Sequence, residues 1–74
     1  MNSSFKMRFS NDLYHARYRR GLTQQEAAEL SSVSLRSYQR FESGSTLPTV
    51  DAFLRLIRLF GLNADDYMEP DAGV

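Results

Sequence analysis

Arg36, Gln39 and Arg40 are the side chains of this 74-residue sequence best suited to reading another molecule. Arg36 and Arg40 are four residues apart, so on a helix they stand one above the other, with Gln39 beside them. A guanidinium fork bonds N7 and O6 of guanine together, and a carboxamide pairs with adenine. Ser34 and Leu35 precede them in the same stretch; Ser34 offers a hydroxyl, Leu35 only a surface for a thymine methyl. Gln24 and the hydroxyls of Ser37, Ser43, Ser45 and Thr46 suit phosphate oxygens, contacts that position a protein on a duplex without reading its bases. Catalytic groupings are missing from the same inventory. His15 is the only histidine and there is no cysteine, so no Ser–His pair and no thiolate metal site can be drawn. The carboxylates are scattered or sit at helix starts, and there is no glycine-rich phosphate loop. An enzyme, a metal and a cofactor are all excluded on this reading, and no small-molecule pocket is expected in so small a bundle.

These side chains need a frame, and the stretch Gly21–Gly44 supplies one. Thr23 and Glu26 have the spacing of a capping box, which starts a helix at about Gln24. Ser34 is a second N-cap, starting a helix that ends at about Ser43 before Gly44. Only Ser31-Ser32-Val33 lies between the helices, too short for anything but a turn that crosses them steeply, with the small Ala28 where they touch. Two helices of about 24–30 and 35–43 so joined are a helix-turn-helix. The first turn of the second helix then points into the major groove, with Tyr38 and Phe41 facing inward. Gln24 opens the first helix, where free N–H groups and the helix dipole attract phosphate.

From Arg17 to about Tyr67 the chain resembles the lambda-type repressor/Cro family of helix-turn-helix regulators, also called XRE. The resemblance rests, without a gap, on Arg17, Gly21-Leu22-Thr23-Gln24, Ala28, Val33-Ser34, the run Arg40-Phe41-Glu42-Ser43-Gly44, Pro48, and a leucine-rich helix ending in Phe60-Gly61-Leu62. It implies an all-α fold, a compact bundle of four to five short helices like the lambda repressor DNA-binding domain. It assigns Gln24 to a phosphate, and it pairs Arg17 with Glu42 in a semi-buried ion pair tying helix 1 to the end of the recognition helix. Ser32 stands where the family usually has glycine; a left-handed backbone there costs about 1 kcal/mol. Ala27 and Ser31 stand where larger aliphatics are usual, and Tyr38, Phe41, Phe53, Ile57 and Phe60 are expected to fill that volume.

The flanks follow. Phe5, Met7 and Phe9 alternate with Lys6 and Arg8 as in a strand, yet Phe5, Phe9, Leu13 and Ala16 also share a helical face. The resemblance favours a first helix from about Ser10 to Arg20, with residues 1–9 as an N-terminal arm, 10–68 as the domain and 69–74 as an acidic tail. Thr49 caps a fourth helix, Val50–Phe60, with Val50, Phe53, Leu54, Ile57 and Phe60 on its expected inner face. Leu62–Met68 resembles the family's short fifth helix. Residues 1–60 hold nine basic and five acidic side chains, net +4, and residues 61–74 none and four, net −4. No apolar run approaches the roughly 20 residues needed to span a membrane, and no signal peptide is visible. A cytoplasmic, nucleoid-associated protein of a bacterium or phage is expected.

One recognition helix reads few base pairs, so a homodimer on a palindromic operator is expected. Leu56, Leu59, Leu62, Tyr67 and Met68 are the expected interface, with Phe5 and Met7 as a second contribution. The reading is thus a transcriptional regulator, in the manner of a repressor, whose partner is double-stranded DNA. The other class is an interaction module, such as an antitoxin or a subunit of a larger complex, favoured by the zero net charge and by Leu30 and Leu35.

Overall fold

The computed structural model describes residues 2–67; Met68 and the acidic segment 69–74 lie outside the described residues. Four α-helices, α1 (Asn2–Arg19), α2 (Gln24–Leu30), α3 (Leu35–Ser43) and α4 (Val50–Phe60), are followed by one 3₁₀ turn, Ala64–Tyr67. No strand occurs among them, and the chain is a small all-α bundle. α1 packs on α3, α2 crosses α3, and α4 and the 3₁₀ turn close against α1.

Local chemistry sets the ends of α2, α3 and α4. The Thr23 hydroxyl accepts from the Glu26 N–H at 3.0 Å while the Thr23 N–H donates to Glu26 Oε1 at 2.8 Å, a complete capping box. Ser34 accepts from the Ser37 N–H and Thr49 from that of Ala52. Gly44 ends α3 in the left-handed region, at φ 79°. Ser32 takes that conformation too, at φ 59°, and carries the strain that a glycine would avoid. The turn keeps its shape because the Val33 N–H closes onto the Ala28 carbonyl at 3.0 Å.

The core is built from Phe9, Leu13 and Ala16 of α1, Ala27 and Ala28 of α2, Tyr38 and Phe41 of α3, and Ala52, Leu56 and Phe60 of α4. Ser31 is buried among them at 1 % exposure, and its hydroxyl donates to the Ala27 carbonyl at 2.7 Å, so no polar group is stranded. Of the side chains expected to fill the space left by Ala27 and Ser31, Tyr38, Phe41 and Phe60 are buried, and Phe53 and Ile57 pack at the core's edge. Arg55 adds a tie that sequence reasoning missed. Its Nε donates to the Ser31 carbonyl at 2.8 Å, and its other end meets Asp51.

Two expectations need correction. α1 begins at Asn2, eight residues before Ser10, so Phe5 and Met7 continue the helix instead of forming an arm. The reason is aromatic packing: the Phe5 ring stacks on Phe9 at 6.1 Å and meets Tyr67 edge-on at 5.9 Å. α4 is also rotated from the face expected of it. Ala52, Leu56 and Phe60 point inward, while Val50 is 75 % and Leu54 51 % exposed. Asp51, Arg55 and Arg58, spaced i, i+4, i+7, form a polar stripe, and the side opposite it, centred on Phe53, Leu56 and Phe60, is the one that packs inward; Val50 and Leu54 flank the stripe and stay out. The small Ala52 lets that side approach its neighbours most closely.

Candidate nucleic-acid interface

α3 turns Tyr38 and Phe41 into the core and leaves Arg36, Gln39 and Arg40 exposed side by side. Among the described residues neither the Arg36 nor the Arg40 side chain has an ion-pair or hydrogen-bond partner, so both guanidiniums keep all their donors. Ser34 is exposed but its oxygen is occupied by the cap, and Leu35 and Ser37 are half-buried at the entry to the helix. At the other end the Ser43 hydroxyl lies 2.8 Å from that of Ser45 and is also within reach of the Arg40 carbonyl. Ser45 is exposed and Thr46 half-buried.

Behind this face lies a polar centre that joins three helices. Arg17 of α1 donates from Nε to Glu42 Oε2 at 2.8 Å and from Nη2 to Oε1 at 2.9 Å, a two-pronged pair. Its third nitrogen reaches the Leu22 carbonyl at 2.9 Å, which pins the loop before α2. Glu42 accepts two more hydrogen bonds, from the Tyr38 hydroxyl at 2.7 Å and from Gln24 Nε2 at 2.9 Å. Burial by itself would push the Glu42 carboxyl up. The hydrogen bonds from Arg17, Tyr38 and Gln24, with the Arg17 charge, more than offset this and hold it below the ordinary glutamate value. The same pairing raises Arg17, and burial followed by the bond to Glu42 raises Tyr38.

Gln24 does not project freely from the head of α2. Its carboxamide nitrogen is given to Glu42, and its oxygen accepts from Gln39 Nε2 at 3.2 Å. A hydrogen-bonded line therefore runs from the exposed face of α3 through Gln24 to the buried carboxylate. Sequence reasoning had missed both the Gln24–Gln39 contact and the Tyr38 hydroxyl. Tyr38 and Glu42 are one helical turn apart, which is the signal that was available; Gln24 and Gln39 lie on different helices and gave none.

The residues expected at a dimer interface are not a free surface. Leu56 is fully buried in the core, at 0 % exposure, and cannot meet a second chain in this fold. Leu59 and Leu62 are half-buried and pack against the core. Tyr67 sits in an aromatic cluster with Phe5, Phe9 and Phe53, and its hydroxyl donates to the Asp12 carboxylate. Burial, then that carboxylate, raises the Tyr67 phenol well above its usual range. Met68 lies outside the described residues. Among the described residues the large apolar groups left in solvent are instead Leu47, Val50 and Leu54 around the start of α4, Leu30 at the end of α2, and Met7, Tyr14 and Tyr18 along α1.

A family model described as a helix-turn-helix domain matches residues 8–68. No curated protein and no solved structure matches the chain. The match takes in α2, the turn at Ser32 and α3, most of α1, and α4 with the 3₁₀ turn after it. The chain belongs to this helix-turn-helix domain family, which is related to the XRE-type DNA-binding regulators.

Proposed function

We propose that the protein is a sequence-specific DNA-binding regulator of transcription that inserts α3 into the major groove of double-stranded DNA. One observation carries the reading: Arg36, Gln39 and Arg40 stand exposed together on the second helix of the motif, the two arginine side chains without partners among the described residues. Arg36 and Arg40 read guanine edges, and Gln39, steadied by Gln24, reads adenine. Ser43, Ser45 and Thr46 take backbone oxygens where α3 ends and Ser37 does so near its entry, while Ser34 and Leu35 face the bases there, Leu35 toward a thymine methyl. Helix-turn-helix families of this kind are typically not enzymes.

The regulator acts as a homodimer on a palindromic operator, which sets two recognition helices roughly 34 Å apart. With Leu56 in the core, the surface that supports this is the outer side of α4 with the loop before it, where Leu47, Val50 and Leu54 are exposed, extended by Leu62, which shares a groove with Leu54. The most economical role for so small a domain is that of a repressor that occludes its site, in the cytoplasm at the nucleoid. No described helix is long and apolar enough to cross a membrane. Selection of bound sites from a random duplex pool tests the reading. A palindrome with guanines placed for Arg36 and Arg40 is expected; a pool with no enriched sequence would overturn it.

A further inference from the structure

The solvent side of α1 has no part in the reading above, yet it borders the end of α3. Between them runs an open groove of about 850 Å³. Arg8, Ser10, Asn11 and Tyr14 line one wall, and Ser43 with Gly44 the other. Ser43 lies three residues past Arg40, so the groove starts where the base-reading face stops.

Its chemistry is one-sided. Arg8 is exposed, has no carboxylate partner among the described residues, and is steadied by lying 5.8 Å over the Tyr67 ring. Asn11 and Tyr14 present an exposed carboxamide and an exposed phenol, neither bonded among the described residues. The Tyr14 ring is held in place by the Arg17 guanidinium at 5.6 Å and by Tyr18, stacked at 6.2 Å. Glu42 is the only carboxylate in the wall, and all its capacity is taken by Arg17, Tyr38 and Gln24. Asp12, the one acid of α1, faces away to Tyr67. The groove thus offers several neutral donors and no free anion in its walls, with the exposed Arg8 guanidinium at its rim beside the Tyr67 ring.

We propose that this groove seats the sugar–phosphate backbone of the same duplex just beyond the bases read by α3, with Arg8, Asn11 and Tyr14 as its ligands. The proposal rests on the DNA-binding reading and extends the contact surface to a helix outside the motif. Such contacts add affinity and salt dependence without altering sequence preference.

The test uses the full chain and duplexes, one of random sequence and one selected by the wild type, titrated from about 50 to about 200 mM salt. Each phosphate contact contributes about 0.9 to the slope of log affinity against log salt. Arg8→Gln with Asn11→Ala should therefore make the salt-induced fall in affinity about 3-fold smaller, equally on both duplexes. Met7→Lys, which adds a cation to the same wall, should make it about 3-fold larger. Phosphate ethylation should interfere with wild-type binding at positions flanking the read bases, and that interference should vanish in the double variant. Variants that match the wild type in affinity and slope, while Arg36→Ala still changes base preference, would overturn the groove and leave the DNA-binding reading standing. A wild type that binds neither duplex at low salt overturns both.

Discussion

Gln39 on the exposed face of α3 donates to Gln24, 15 residues earlier, at 3.2 Å. On the proposed reading, that contact makes Gln24 both a brace for Gln39 and a phosphate ligand. Gln24→Ala should weaken binding to operator and random duplex alike, because the second N–H of its carboxamide, left over from the bond to Glu42, is no longer there for a phosphate. It should also relax preference at the base that Gln39 reads, because Gln39 loses its support. Site selection with the variant checks both parts; an unchanged base preference would confine Gln24 to the backbone.

Arg36→Ala and Arg40→Ala should each cost about 1–3 kcal/mol at a particular base pair and leave the others unchanged. Selection on both variants is the measurement. If neither shifts the preference, α3 is not the reader.

Glu42→Ala leaves Arg17 and the Tyr38 hydroxyl without their partner in a place largely closed to water. A loss of about 3 kcal/mol is expected, from the cost of breaking one side of a buried pair. For a domain of this size that lowers the melting temperature by more than about 10 °C. Tyr38→Phe removes one hydrogen bond to a charged group and should cost about 1.5–3 kcal/mol. Thermal melting of the two variants distinguishes a held pair from an incidental one.

The pH dependence follows from the lowered Glu42 carboxyl. A depressed native value means that the unfolded chain takes up a proton first as pH falls. The stabilisation from Glu42 is therefore complete above its ordinary value of 4.5 and is lost as pH drops through the lower native value. Denaturant unfolding at descending pH should show the loss, and Glu42→Gln should remove that part of the dependence.

Leu54→Glu on the exposed side of α4 should leave the fold intact and reduce the dimer to monomers in sedimentation. Leu56→Glu, by contrast, places a charge in the core and should unfold the domain. A wild type that sediments as a monomer and binds a non-palindromic site with one-to-one stoichiometry would end the dimer reading.

The helix-turn-helix was legible because its signals are local. Thr23, Glu26, Ser34 and Gly44 mark helix ends through partners no more than four residues away, and α2 and α3 fall where those residues put them. The start of α1 was half legible: Phe5, Phe9, Leu13 and Ala16 share a helical face, but Phe5, Met7 and Phe9 alternate as in a strand as well. What extends it is Phe5 meeting Phe53 and Tyr67, residues far along the chain that no periodicity connects to it. The inner face of α4 was legible from its polar stripe, since Asp51, Arg55 and Arg58 share one side; the expectation missed it by including Val50 and Leu54, which flank that stripe, in place of Leu56 opposite it. At the candidate interface the exposed arginines could be placed by counting along a helix. The Gln24–Gln39 contact needed the crossing of two helices.

The hydroxyl of Tyr67 on Asp12 spans 55 residues of chain, whereas the Arg17–Glu42 centre spans 25. Loop-closure entropy grows with the logarithm of loop length, and so the longer tie costs more to make from an unfolded chain. It also belongs to a single 3₁₀ turn, which has few backbone bonds of its own to lose. Under native conditions the amides around Asp66 should exchange with solvent through local opening, well ahead of those in α3, which await global unfolding. Folding should run in the opposite order, with the recognition helix in place before the aromatic cluster shuts over Phe5.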